Sequence, residues 1–316
     1  MKEVVMKKFI AFLLLSFLYA PIPASAQPLK VVATFTILSD LANQVGGDLV
    51  DVKALVGPDG DAHVYKPTPD DSKALSQANL VIVNGLGMEG WVDRLIAASG
   101  YKGRVVIAST GIMPRQMGAD EQETATNEAH PTQADAGKTI DPHAWQDVSN
   151  ARIYVQNITD ALCAAMPEKA TIFRERSKAY DAELAQLDSW VRTELAVVPA
   201  SQRKIITSHD AFGYFGAAYG VTFIAPQGIS TEVEPTATQV AKLIEQMKAE
   251  KVRRVFIETM GSPRLVTQLA KDAGADVGKP IYSDALSHAD GPAPTYIAMF
   301  HYNIQQFKEA MLLNGK

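Results

Sequence analysis

PEKATIFRERSKAYDAELAQLDSWVRTEL, residues 167–195, decides how this chain is built. Pro167 suits the first turn of a helix, and from Glu168 to Leu195 no glycine or proline interrupts it. At ~1.5 Å per residue such a helix reaches roughly 40 Å, enough to run the length of two small lobes. A surface coiled coil is the other reading of so long a helix, but the apolar positions do not hold a heptad.

Outward from this helix the two flanks read alike. Before it, Val31–Thr36, Leu49–Val56, Leu80–Asn84 and Val105–Ser109 are apolar runs of buried-strand length. Helical periods around Leu38–Val45, Pro69–Gln77 and Trp91–Ala98 separate them. A helix over Ser149–Met166 leads into the long one. After Pro199 the alternation resumes with Arg203–Ser208, Val221–Ala225, Val255–Glu258 and Pro280–Tyr282, and a last helix covers Pro294–Leu313. The expected fold is therefore α/β, with two four-stranded parallel (β/α) lobes joined by one rigid helix. Residues 27–148 form the first lobe, 149–198 the linking helices and 199–316 the second lobe. Within the first lobe, residues 113–142 are polar and aperiodic, as in a flexible surface loop.

The beginning of the chain points to export. Lys2, Lys7 and Lys8 precede an apolar stretch from Phe9 to Tyr19, and Ala24-Ser25-Ala26 follows, the pattern of a signal peptide cleaved after Ala26. The apolar stretch is shorter than the ~20 residues of a membrane span. Cys163 is the sole cysteine and lies in a helical pattern, so it reads as a small buried apolar residue. With no cysteine after the signal segment, the expectation is a periplasmic protein without a lipid anchor. Residues 27–316 carry 27 Lys and Arg against 34 Asp and Glu, a mild acidity that argues against a nucleic-acid surface.

Four metal-competent residues sit at strand exits or in turn-rich segments. His63 follows the second strand in GDAHVYKPTP (60–69), His143 lies in DPHAW, His209 directly follows a strand, and Asp284 follows Pro280–Tyr282. In open parallel sheets the loops at the carboxyl ends of the strands face one crevice. Three imidazoles and a carboxylate suit a borderline divalent ion, and four protein ligands close a tetrahedral site that binds rather than activates water. Each residue alone has a structural alternative. His63 can be a turn residue, His143 can stabilise its loop, and His209 and Asp284 can cap the segments that follow. Glu258, Asp210 and Asp61 are candidates to accept the second N–H of a ligating imidazole. His288 and His301 read as exposed or structurally paired, and His130 as solvent-exposed.

GDAHVYKPTP, DPHAWQD (141–147), TSHDAFGYFGAAYGV (207–221), EVEPTATQV (232–240), VFIET (255–259) and YSDAL (282–286) together resemble the blocks of the solute-binding proteins of zinc and manganese ABC importers, the cluster A-I receptors. The resemblance spans essentially all of residues 27–316. It implies two (β/α) lobes bridged by one long helix and holding a single ion, with His63, His143, His209 and Asp284 as the ligands. It also implies delivery to a membrane permease with its ATPase. A periplasmic metallochaperone is a further candidate partner, and a monomer is the expected state. Manganese receptors of the family usually carry glutamate at the third ligand position and zinc receptors histidine, so His209 favours zinc. A receptor for manganese, or for zinc, manganese and iron together, is the alternative. The histidine-rich loop of many zinc receptors is reduced here to His130 among acidic residues. A zinc-dependent hydrolase is the competing class, but no HExxH, nucleophile elbow or phosphate loop supports one, and a non-enzymatic receptor is the expectation.

Overall fold

A computed structural model describes residues 27–116, 140–228, 231, 235–261 and 263–314. The signal segment, His130 and most of the polar loop expected at 113–142 lie outside them.

Among the described residues the chain forms two four-stranded sheets, both wholly parallel. The first has the order β2-β1-β3-β4, built from β1 (Leu29–Phe35), β2 (Val50–Val56), β3 (Leu80–Val83) and β4 (Arg104–Ile107). The central strand β3 is a continuous apolar run and β1 is buried from Val31 to Phe35, whereas the edge strands alternate or expose part of their length. Helices α1 (Thr36–Gly46), α2 (Pro69–Gln77) and α3 (Val92–Ser99) make the crossovers. Helix α2 begins where its sequence dictates. Pro69 occupies the first turn, and Thr68 and Asp71 form a reciprocal capping box.

Two helices, α4 (Val148–Ala165) and α5 (Ala170–Ala196), then run back to back. A short 3-10 turn at Pro167–Lys169 precedes α5, so the α-helix proper starts slightly later than its sequence suggests. At ~1.5 Å per residue α5 is about 40 Å long. It buries Phe173, Ser177, Tyr180, Leu184, Leu187 and Val191, a stripe at alternating spacings of four and three. That spacing is heptad-like as far as Val191 and breaks at buried Leu195, four residues on. Ser177 occupies one of its places, which hides the period from a reading of apolar residues alone. The stripe packs against α4, α1 and the last helix, α9 (Tyr296–Met311).

The second sheet has the order β6-β5-β7-β8, from β5 (Lys204–Ile206), β6 (Thr222–Ile224), β7 (Arg254–Val255) and β8 (Asp276–Val277). Helices α6 (Gly213–Tyr219), α7 (Ala237–Ala249) and α8 (Pro263–Ala273) connect them. The fourth strand differs from expectation. It is the exposed pair Asp276–Val277, and Pro280–Tyr282 contributes only a single parallel bridge, from Ile281 to Glu258. Two residues that face solvent leave no apolar run to read, whereas the buried Ile281 and Tyr282 imitate one.

One large hydrophobic cluster runs through both lobes, from Val31 and Leu38 through Leu184 and Phe173 to Phe212, Phe256 and Phe307. A smaller one, around Ile206, Leu243, Val255 and Leu269, fills the outer part of the second lobe. The chain also crosses over locally. Leu286 N–H donates to Thr36 Oγ1 at 2.8 Å and Tyr296 N–H to Asp40 Oδ2 at 2.8 Å, so residues 284–296 are fastened to α1 of the first lobe. Buried Cys163 donates to the Ala170 carbonyl. No described helix is long and apolar enough to cross a membrane.

Candidate metal centre

The four residues singled out in the sequence come together where the carboxyl ends of the two sheets face each other, with one donor atom from each within 4.8 Å of the others. His63 Nε2 lies 3.2 Å from His143 Nε2 and 3.3 Å from Asp284 Oδ2. His143 Nε2 is 3.6 Å and His209 Nε2 3.2 Å from the same oxygen. Four donors placed tetrahedrally at ~2.0–2.1 Å from a zinc-sized ion stand roughly 3.3 Å apart. The cluster therefore has the size of a first coordination sphere. Both carboxylate oxygens of Asp284 and the Nε2 of His209 are buried without a hydrogen-bond partner. Orphaned buried polar atoms of this kind call for an explanation, and a shared cation supplies it.

Two of the histidine rings are braced from behind. His143 donates its backbone N–H to Asp141 Oδ1 at 3.0 Å, and the same oxygen lies 2.8 Å from its ring Nδ1. His209 Nδ1 lies 2.6 Å from Glu258 Oε2. A carboxylate on Nδ1 keeps the proton there and leaves the Nε2 lone pair facing the centre. Glu258 thus does what its sequence position suggests. Asp61 does not support a ring; its Oδ1 accepts the backbone N–H of His63 and its Oδ2 the hydroxyl of Thr231. Asp141 was missed in the sequence, although an aspartate two residues before a histidine is the signal of such a turn. The capping alternatives fall away. Helix α6 starts at Gly213 with no side-chain cap, so His209 does not cap it.

A buried polar network fixes the first-lobe side. Asn84 Nδ2 donates to the Pro142 carbonyl at 2.9 Å while its Oδ1 accepts from Tyr154 OH at 2.6 Å. Glu89 accepts from Thr34 Oγ1, Asn84 N–H and Gly85 N–H, and burial pushes its pKa up. Trp91 Nε1 donates to the Ala62 carbonyl, which sets the turn carrying His63. Across the lobes, Trp145 Nε1 and Gln146 Nε2 both donate to the Ser283 carbonyl, at 3.0 and 2.8 Å, beside Asp284.

Charge within the cluster is strongly perturbed. Burial lowers the pKa of His63, and the neighbouring Asp284 only partly offsets it. For His143 burial is outweighed by Asp284 and Asp141, which lift the ring to about 9. For His209 burial is outweighed by Glu258 and Asp284, which lift it well above its ordinary value. Burial opposes the charge of Asp284, yet His143 and His209 hold its carboxyl well below the usual range. Asp284 and the pair His143 and His209 thus each favour the other's charged form, while His63 favours the neutral one. His63 is the member of the cluster nearest the rim, its side chain 5% exposed against 0–1% for the other three. His288 lies apart, exposed and 3.7 Å from Asp59, and exposed His301 packs on Trp190.

Comparison with known proteins agrees with the fold and with a binding role. The family model described as "ZnuA: Zinc-uptake complex component A periplasmic" matches residues 31–310. The manganese-binding lipoprotein MntA of Bacillus subtilis is 32% identical over 294 residues, covering 90% of each chain. The iron ABC transporter substrate-binding lipoprotein MtsA of Streptococcus pyogenes is 31% identical over 295 residues, covering 91% of this chain and 90% of its own. Among solved structures, the periplasmic zinc binding protein TroA from Treponema pallidum superposes with a TM-score of 0.79 at 29% identity, over 90% of this chain and 99% of its own.

One expectation is overturned by these relatives. MntA and MtsA are both named lipoproteins, so a periplasmic location without a lipid anchor is not retained. The expectation rested on the position of the sole cysteine, Cys163, far beyond the signal segment. Anchoring a receptor beside its permease raises its effective concentration there. Since matched residues 31–310 take in both sheets, the helix between them and all four clustered residues, this chain belongs to the ZnuA family of metal-binding receptors of ABC importers and is not an enzyme.

Proposed function

We propose that the chain is a zinc receptor that holds one ion through His63, His143, His209 and Asp284 and hands it to an ABC permease. The observation that carries this reading is the donor set, three imidazole nitrogens converging on one carboxylate oxygen at 3.2–3.6 Å. Imidazole suits zinc, whereas manganese favours sites richer in carboxylate and water. Four protein donors leave no open position, which suits capture and release.

Manganese or iron is the second reading, favoured by the names of relatives that are 31–32% identical to this chain. A chelator-competition titration of metal-free protein with zinc and manganese in parallel separates the two. One tightly held zinc with manganese far weaker supports the zinc reading. Comparable affinity for manganese transfers the cargo assignment, and no tight binding of either removes the four residues from the role.

A further inference from the structure

Glu258 and Asp141 back two ligating histidines in different ways. Asp141 uses one oxygen for both tasks, since Oδ1 meets the backbone N–H and the ring Nδ1 of His143. Its Oδ2 faces the Arg115 guanidinium at 3.6 Å, which offsets its charge. Glu258 divides the tasks. Oε1 accepts the backbone N–H groups of Ser208 and His209, at 2.9 and 3.0 Å, and Oε2 alone meets His209 Nδ1. Glu258 is fully buried, and among the described residues no lysine or arginine pairs with it. Its own backbone continues the geometry, since Glu258 N–H donates to Ser208 Oγ and Glu258 bridges to Ile281, three residues before Asp284.

We infer that Glu258 is the positioning residue that fixes His209 as the Nε2-coordinating tautomer. This deepens the receptor reading and rests on it.

The divided oxygens make the inference testable by isosteric exchange. In Glu258→Gln the amide oxygen must stay on the two backbone N–H groups, because an NH2 there would face two donors. The NH2 then points at His209 Nδ1, which turns acceptor, and the proton moves to Nε2 where it blocks the ion. In Asp141→Asn one oxygen still accepts both groups, so the tautomer of His143 is kept. Zinc affinity measured by chelator competition should therefore fall at least about 100-fold in Glu258→Gln, at or beyond the upper end for groups behind a ligand, and about tenfold or less in Asp141→Asn. Circular dichroism of the metal-free variants checks that they fold. Histidine 15N spectra of the zinc-loaded unmutated protein give a reading independent of either variant, with His209 expected to carry its proton on Nδ1. Equal affinity in a folded Glu258→Gln, or an unprotonated Nδ1 on His209, overturns the inference. Failure of the unmutated protein to bind zinc overturns the zinc reading first and the inference with it.

Discussion

Raising the pH from 7 to 9 should strengthen zinc binding far more than ordinary histidines would. A free imidazole titrates near 6.5, so a site of unperturbed histidines would show nearly constant affinity above neutrality. Here His143 is lifted to about 9 and His209 well above its usual value, while His63 is lowered. A histidine must be neutral to coordinate, so at pH 7 the incoming ion displaces a proton from each of the two raised rings. Each displaced proton contributes a factor of ten per pH unit, which gives a rise of roughly 100-fold per unit until about pH 9. His63 adds to the slope only at lower pH. Chelator competition at half-unit steps, corrected for the chelator's own titration, reads the slope. Calorimetry in buffers of different ionisation enthalpy should count about two protons released at pH 7. The stability of the metal-free protein moves the other way. The raised pKa of His143 stabilises the fold fully below about 6.5, and that contribution is lost as the pH climbs through about 9. A flat affinity between pH 7 and 9, or no proton release, would refute this account of the charge in the cluster.

Three further outcomes test other parts of the molecule. Leu184→Ala, at a fully buried place in the stripe of α5, should lower stability by roughly 3–5 kcal/mol in urea unfolding, and a change under about 1 kcal/mol would mean the stripe is not tightly packed. Asn84→Ala leaves the Pro142 carbonyl and the Tyr154 hydroxyl without their partner, so it should cost about 2–4 kcal/mol and weaken zinc binding through His143; unchanged zinc affinity would separate this network from the site. Small-angle scattering should give the same radius of gyration with and without zinc, because α5 and the shared core resist a hinge, and a decrease of the size seen in hinge-closing receptors would count against that rigidity.

The βα alternation was readable because buried parallel strands leave apolar runs and their helices carry local punctuation. Pro69–Gln77, marked by Thr68, Pro69 and Asp71, was read to the residue. What failed was structure with no local signature. Asp276–Val277 pairs only through its backbone, and Pro280–Tyr282 is apolar because it is buried beneath the site and not because it forms a ladder. The four clustered residues were legible because imidazoles at strand exits have few other reasons to recur. Their supports were less so. Asn84 and Glu89 sit in NGLGMEGW, which looks like an exposed glycine-rich turn, yet positive φ at Gly85 and Gly87 folds it back so that both polar side chains are buried. Arg115 and Asp141 lie far apart in sequence, and only the fold sets them beside each other.

The placement of Trp145 gives the protein an optical reporter of its own cargo. Its indole is fully buried, stands edge-on to the His143 ring at 5.3 Å, and donates to the carbonyl beside Asp284. A protonated imidazole quenches indole emission, and an ion that displaces the proton should relieve the quenching. Trp190, its ring 4.1 Å from that of exposed His301, and Trp91, edge-on to Tyr65 at 5.1 Å, are built-in references. Occupancy should therefore be readable in real time without a label, and replacing Trp145 by phenylalanine should abolish the zinc-dependent signal while leaving the emission of Trp91 and Trp190.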